Sequence, residues 1–312
     1  MYDVVIIGAG AAGLTAAMYT ARKQLKTVIL SVDVGGQTNM TNHIENYPGV
    51  DAIPGPTLME KFKEQAIGFG AELQMGKVEK IEKKSGKHFV LTLEDGTIVE
   101  TKTVIITAGR NPKRLGIPNE DKFFGRGVST CATCDGPLFK SKVVAVVGGG
   151  NSAVEGALEL ANVADKVYLI HRRDQFRADE ITVAKLKQQQ NIELVLDTIA
   201  TELLGNSVLN GVVVEHVKTK QKSTLDIHGL FLEIGSEVDT SMVNGLCTLN
   251  GGSEIIINDR GATSCPGIFA AGDITIVPFK QTVISAGDGA KAALECHRYL
   301  TGAEDIAGDW QQ

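Results

Sequence analysis

The sequence predicts an α/β protein with two Rossmann-like, three-layer βαβ units. Three observations carry this reading. A four-residue apolar run, Val4–Ile7, feeds a glycine-rich turn, Gly8-Ala9-Gly10-Ala11-Ala12-Gly13, which opens an alanine-rich helix. The same order returns later, with Val143–Val147 feeding Gly148-Gly149-Gly150-Asn151-Ser152-Ala153. Beyond each helix lies a second short apolar strand, Thr27–Leu30 in one case and Val167–His171 in the other. Strand, glycine turn, helix and strand are the Rossmann-like crossover.

The first helix runs through Leu14 to about Lys23. Residues 34–56 hold Gly, Asn, Thr and three prolines and read as a long irregular segment. Leu58–Phe69 reads as a helix. Lys77–Ile81, Phe89–Leu93 and Val104–Thr107 read as strands, with turns at Ser85-Gly86 and Asp95-Gly96. Pro112 to Pro118 breaks the pattern and marks a linker. The second unit's helix covers Ser152–Asn162, and residues 192–235 read as further strands. Ile268–Ala271 is a strand leading to Gly272-Asp273, and a helix from about Thr282 to Tyr299 follows.

The chain has 312 residues, 43% hydrophobic and 22% charged, which suits two globular domains able to bury real cores. A net charge of −6 argues against a nucleic-acid binder. Five cysteines, an odd number, do not make a secreted disulfide framework. No basic segment followed by an apolar stretch and a cleavage site opens the chain. No apolar run reaches the ~20 residues that span a bilayer. The expectation is a cytoplasmic protein without a membrane or nucleic-acid partner, where a disulfide is more often catalytic than structural.

In the first turn Gly8 permits the tight bend, Gly10 lets backbone approach a pyrophosphate, and Gly13 lets helix lie close to strand. The helix N-terminus, with Ala11 and Ala12, offers free N–H groups to phosphate. Asp33 follows the second strand, near where an acid would bind ribose hydroxyls. In the second unit that position is basic: His171-Arg172-Arg173-Asp174-Gln175-Phe176-Arg177. Arg172, Arg173 and Arg177 can pair with the 2′-phosphate of NADP. A merely solvated basic turn is the plainer reading of the same residues.

Cys131-Ala132-Thr133-Cys134 precedes the second turn. Two thiols at this spacing can close a small reversible disulfide. A zinc site needs about four ligands, and no second close pair or His cluster accompanies them, so no metal is expected. A buried inert pair is the other reading, though Thr130, Thr133, Asp135 and Gly136 are polar and turn-like. Asp135 can exchange a proton with a departing thiolate, or simply cap the turn. Cys247, Cys265 and Cys296 have no partner visible in sequence and read as buried free thiols.

Further segments complete a pattern: Gly35-Gly36-Gln37, Glu45-Asn46-Tyr47-Pro48-Gly49, Thr107-Ala108-Gly109, Cys131–Gly136, His171–Ala178, Ala270-Ala271-Gly272-Asp273 and Gln281–Gly287. In this order, over nearly the whole chain, they resemble the low-molecular-weight NADPH-dependent thioredoxin reductases. The Cys-Ala-Thr-Cys-Asp and His-Arg-Arg-Asp-x-Phe-Arg motifs are specific to that family and its close relatives. The resemblance implies a flavoenzyme whose FAD domain is split, 1–112 and 243–312, around an inserted NADPH domain, 113–242, that carries the cysteines. It implies FAD contacts from Gly8, Gly10, Ala11, Ala12, Gly13 and Asp33, then from Gly35, Gly36, Gln37, Asn46, Ala108 and Gly109. Gly272 and Asp273 would meet the ribityl and phosphate region, and Gln281, Thr282 and Val283 the flavin ring. NADPH contacts would come from Gly148, Gly150, Asn151, Ser152, Ala153, His171 and the three arginines.

By the same resemblance electrons pass from NADPH to FAD, then to the Cys131–Cys134 disulfide, then to thioredoxin or a thioredoxin-like protein. Cys134 would face the flavin and Cys131 would attack the partner. Family members are homodimers. One flavin face cannot easily serve both nicotinamide and cysteines in a rigid molecule, so the insert is expected to rotate on linkers near 110–118 and 236–244. There are two departures from the family pattern. Ser236-Glu237-Val238-Asp239 brings negative charge toward the nicotinamide site, and Pro137 replaces a common Phe. A ferredoxin- or NADH-dependent flavin disulfide reductase and a non-catalytic flavin redox sensor stay open as alternatives. The three arginines weigh against a ferredoxin donor. NADH-driven peroxiredoxin reductases usually carry an extra N-terminal redox domain, and a sequence that opens on the first strand makes theirs the weaker expectation.

Overall fold

The structure, a computed structural model, describes residues 1–41 and 44–303. It opens with β1 (Tyr2–Ala9), α1 (Ala11–Arg22) and β2 (Thr27–Val34). Alternate residues of β1 enter two separate cores. Val5 and Ile7 pack with Val104 and Ile106, while Val4 and Ile6 pack with Leu14, Ala17 and Ile105. A strand covered on both faces needs a continuous apolar run, and Val4–Ile7 is one.

The chain continues through α2 (Gly55–Gly68), β3 (Glu72–Met75), β4 (Val78–Lys83), β5 (Phe89–Leu93), β6 (Ile98–Ile106), β7 (Asn111–Pro112) and α3 (Glu120–Phe123). Next come β8 (Val128–Ser129), α4 (Ala132–Asp135), β9 (Val143–Gly148), α5 (Asn151–Ala161), β10 (Lys166–Ile170), α6 (Glu180–Leu186) and β11 (Ile192–Val195). β12 (Thr198–Gly205), β13 (Leu209–His216), β14 (Lys222–Asp226), β15 (Gly229–Glu233), β16 (Ser236–Glu237), β17 (Ile268–Ala270) and α7 (Thr282–Thr301) follow.

These elements form two compact units. One holds residues 1–39, 47–111 and the chain from Glu237; the other holds 40–46 and 112–236. In the first, the strand order is β3-β2-β1-β6-β5-β4, and β17 also pairs with β6. β6 changes partner halfway along. Its first half is antiparallel to β5, with Phe89 opposite Thr101, and its second half is parallel to β17, with Ile268 opposite Val104. α7 closes on α1, where a Cβ at Gly289 would run into the Ala12 carbonyl.

The second unit has a five-stranded parallel sheet, β11-β10-β9-β15-β8, and an antiparallel meander, β12-β13-β14. β9 is again buried on both faces, Val144 and Val146 in one core and Ala145 and Val147 in the other. The protein is thus mixed α/β with two Rossmann-like sheets, the first mixed and the second parallel, the class that the glycine turns predict. Among the described residues no helix is long and apolar enough to cross a membrane. Among them, too, no group of three or more His, Cys, Asp or Glu is placed to hold a metal ion.

Candidate active site

In the first unit the glycines divide the work by position. Gly8 has φ +104°, and a Cβ there would lie 2.5 Å from the Thr107 carbonyl oxygen at the end of β6. A Cβ at Gly13 would strike the Gly8 carbonyl, so strand and helix touch there. At Gly10 a Cβ would meet nothing within 4 Å. That is the open cradle a pyrophosphate requires. α1 starts beside it with no side-chain cap and no acidic residue in its first turn, so its first N–H groups are left for an anion.

Other segments converge on the same place, at the C-terminal ends of the parallel strands. The Gly35 N–H donates to the Ala9 carbonyl (2.8 Å), and a Cβ at Gly36 would approach the Gly10 Cα. Asp33 is exposed at the end of β2 and accepts from the Gly36 N–H at 3.2 Å. Gln37 Nε2 donates to the Arg110 carbonyl (2.7 Å), just past Ala108 and Gly109. Gly272 lies against Ala12, and Ser285 Oγ donates to Asp273 Oδ1 at 3.0 Å. The hydroxyls of Thr38 and Thr282 are 3.4 Å apart, which brings Gln281, Thr282 and Val283 at the start of α7 into this group. Asn46 is the exception, because its segment clusters with the second unit.

The second turn repeats the design. A Cβ at Gly148 would collide with the Glu233 carbonyl and would lie 2.6 Å from the Ala153 Cβ. Gly150, like Gly10, faces open space. α5 begins there without a side-chain cap or a first-turn acid. Asn151 and Ser152 are exposed in that first turn, and Asn151 Oδ1 accepts from the Asp179 N–H at 2.8 Å. The basic segment folds back on the turn: the Arg177 N–H donates to the Gly149 carbonyl at 2.7 Å. The buried His171 ring fills the space where a Gly149 Cβ would go and stacks on Phe176, centroids 5.4 Å apart. Burial, and then the charges of Arg172, Arg173 and Arg177, hold its pKa below the ordinary value. All three arginines are exposed.

Cys131 and Cys134 form a disulfide, with Cα atoms 5.3 Å apart. Cys131 is the N-cap of α4, and its Sγ accepts from the Cys134 N–H at 3.1 Å. Asp135 closes the same turn. Its Oδ2 accepts from Ser129 Oγ at 2.6 Å and its Oδ1 from Thr41 Oγ1 at 2.7 Å. The Ser129 hydroxyl also accepts from the Cys131 N–H at 3.1 Å. Of the unpaired cysteines, Cys265 and Cys296 are buried. Burial pushes the Cys296 thiol up to about 12.

The pyridine nucleotide-disulphide oxidoreductase family model matches residues 2–292 of the chain. The chain belongs to this family. It is 42% identical to a thioredoxin reductase of Helicobacter pylori, over 96% of this chain and 99% of that protein. It is 37% identical to a bifunctional thioredoxin reductase/thioredoxin of Mycobacterium leprae, over 96% of this chain and 66% of that longer protein. Among solved structures it resembles thioredoxin reductase from Streptococcus pyogenes, with TM-score 0.92 and 41% identity, covering 97% and 99% of the two chains.

A pyridine nucleotide-disulphide oxidoreductase works with a flavin and a nicotinamide, and both glycine turns fit such groups: each leaves its middle glycine open beside an uncapped helix. Motif reading missed the groups that hold these turns and the cysteines. Thr107 Oγ1 donates to the Ile7 and Gly8 carbonyls (2.8 and 3.0 Å), and Ser31 Oγ accepts from the Ala9 N–H at 3.0 Å. Ser129 and Thr41 grip Asp135, and Glu233 lies beside Ala132. A hydroxyl or acid directly after a strand ending at a glycine turn is the signal that would have found Thr107. Asp239, expected to bring charge toward the nicotinamide, accepts from the Ser241 N–H and hydroxyl and caps its own turn. Pro137 sits in the first turn of the 3-10 segment Gly136–Phe139, where its fixed φ is accommodated.

Proposed function

We propose that the chain is an NADPH-dependent thioredoxin reductase. What supports this is the Cys131–Cys134 disulfide with the Asp135 carboxylate in the same turn, in the unit that also holds the second glycine turn. Flavin bound at the first turn supplies the two-electron exchange between nicotinamide and disulfide. The chain's residues do the rest. Gly8–Gly13, Gly35–Gln37, Ala108–Gly109, Gly272–Asp273 and Gln281–Val283 hold that group. Gly148–Ala153 takes the NADPH pyrophosphate, and Arg172, Arg173 and Arg177 pair with its 2′-phosphate. These arginines favour NADPH over NADH, because a third phosphate offers them a charge-assisted bond that a free hydroxyl does not.

At the cysteines, the Cys134 N–H aimed at Cys131 Sγ favours a thiolate on Cys131 once the bond opens. That sulfur attacks the disulfide of thioredoxin. Cys134 then attacks the mixed disulfide and restores the internal bond. Asp135, oriented by Ser129 and Thr41, gives and takes the proton at the thiolate left behind. The test is a coupled assay with NADPH, thioredoxin and a disulfide dye. Wild type turns over; Cys134→Ser retains nicotinamide oxidation by the flavin but loses thioredoxin reduction by at least about a thousandfold. Thioredoxin reduction by Cys134→Ser at the wild-type rate would end this reading.

A further inference from the structure

Glu233, a half-buried carboxyl at the end of β15, has no part in the mechanism above. Its backbone pairs with Gly148, the first glycine of the nucleotide turn. Its side chain meets α4 and α5. The Ala132 N–H faces the carboxyl, and Ala132 directly follows Cys131. Gly156 of α5 makes the room: a Cβ built there would lie 3.6 Å from Glu233 Cγ and from Oε1, and 3.3 Å from the Ala132 Cβ. Glu233 therefore spans the distance from the nucleotide turn to the reactive loop within one unit.

The groups around it are few. Glu159 of α5 turns toward α4, where it accepts from Thr133 Oγ1 at 2.9 Å. α4 contributes Cys131, Cys134 and Asp135. The flanking strands β9 and β8 carry no titratable side chain. Burial pushes the Glu233 carboxyl up to about 7; the Ala132 N–H pulls it down and the Glu159 charge adds to the rise.

We propose that Glu233 is a positioning residue that couples a proton to the redox state of the Cys131–Cys134 pair. This rests on that pair being the reacting disulfide. Two electrons from the flavin, or from a dithiol, break the Sγ–Sγ bond and leave two thiolates. One takes a proton through Asp135. The negative charge left on the other sulfur raises the proton affinity of the Glu233 carboxylate, which takes a second proton from solvent. Re-oxidation hands two electrons to the partner disulfide, remakes the bond and releases both protons.

The sign follows. Below pH 7 the carboxyl is protonated in both redox states and contributes nothing. Above it the carboxyl is ionised beside the disulfide and protonated beside the dithiol, so reduction takes up an extra proton. The test equilibrates the flavin-loaded protein with dithiothreitol redox buffers between about pH 6 and 9, then quenches, alkylates and weighs the Cys131–Cys134 peptide. Wild type and Glu233→Gln should coincide near pH 6. By about pH 8.5 the variant should favour the dithiol by about tenfold over wild type, one pH unit of differential protonation. Glu159→Gln should move the wild-type bend to lower pH. Wild-type and Glu233→Gln curves that run parallel at every pH would overturn the proposal, since a structural role shifts all points alike. A pair that never exchanges with the buffer would remove the disulfide reading itself and this inference with it.

Discussion

Gly8 shows how a single residue fixes a site. With φ at +104° and the Thr107 carbonyl 2.5 Å from any added Cβ, only glycine fits without strain. Gly8→Ala should lose about 1–3 kcal/mol of stability and bind flavin poorly, measured as a lower melting temperature and less flavin absorbance per chain. Glu233 makes a second residue-level prediction. Its folded-state pKa, about 7, stands above the ordinary carboxylate value of 4.5, so the native state binds the proton more tightly than the unfolded chain. Its contribution favours folding at acid pH and declines as pH rises from the ordinary value through 7. Glu233→Gln should therefore gain melting temperature relative to wild type at pH 8, with the gap closing near pH 5, as thermal melts at both pH values would record. The glycines were legible because their chemistry is local: a turn needs them wherever it falls. Glu233, Thr41 and Ser129 were not, because each acts on a residue remote in sequence or visible only through a fold. Thr41 reaches Asp135 across 94 positions.

At the scale of elements, the two strand–turn–helix units were readable, and the partners of their strands were not. Phe89–Leu93 appears as the sequence predicts. β6 was expected only over its apolar end, Val104–Thr107, yet starts at Ile98. Its first half alternates exposed and buried against the hairpin, with polar Glu100 and Lys102 breaking the run, while its second half is covered on both faces. Residues 36–40 were expected to be irregular but form a 3-10 turn. Two positive-φ glycines and the Asn39 side chain, donating to the Val34 carbonyl, set that turn, and no periodicity announces it. The element with the sharpest consequence is the arginine segment after β10. Its backbone tie to Gly149 holds it over the second turn whichever arginine is changed. Arg172→Ala, Arg173→Ala or Arg177→Ala should each raise KM for NADPH by about tenfold, the loss of one charge-assisted bond of about 1.5 kcal/mol, while leaving KM for NADH nearly unchanged. Equal losses with both nucleotides would assign these side chains to the fold rather than to the 2′-phosphate. Steady-state kinetics with the two donors decides it.

Across the whole molecule the first unit is built from both ends of the chain, and the second from its middle together with the short segment 40–46. β17 completes the sheet that β1 begins, and α7 packs on α1. A repeated glycine turn made the two units visible in sequence, whereas the return of the chain to the first sheet was visible only through resemblance to a family. Each unit carries a glycine turn whose middle glycine faces open space, and the second also carries the disulfide. Electrons entering from the nicotinamide are proposed to reach that disulfide through the flavin. The most direct measurement is anaerobic reduction of the flavin-loaded protein with excess NADPH, followed by acid quench, alkylation and mass analysis of the peptide that contains Cys131 and Cys134. With this relay, flavin absorbance falls and both cysteines become alkylated. A flavin that bleaches fully while the Cys131–Cys134 bond stays intact would contradict it.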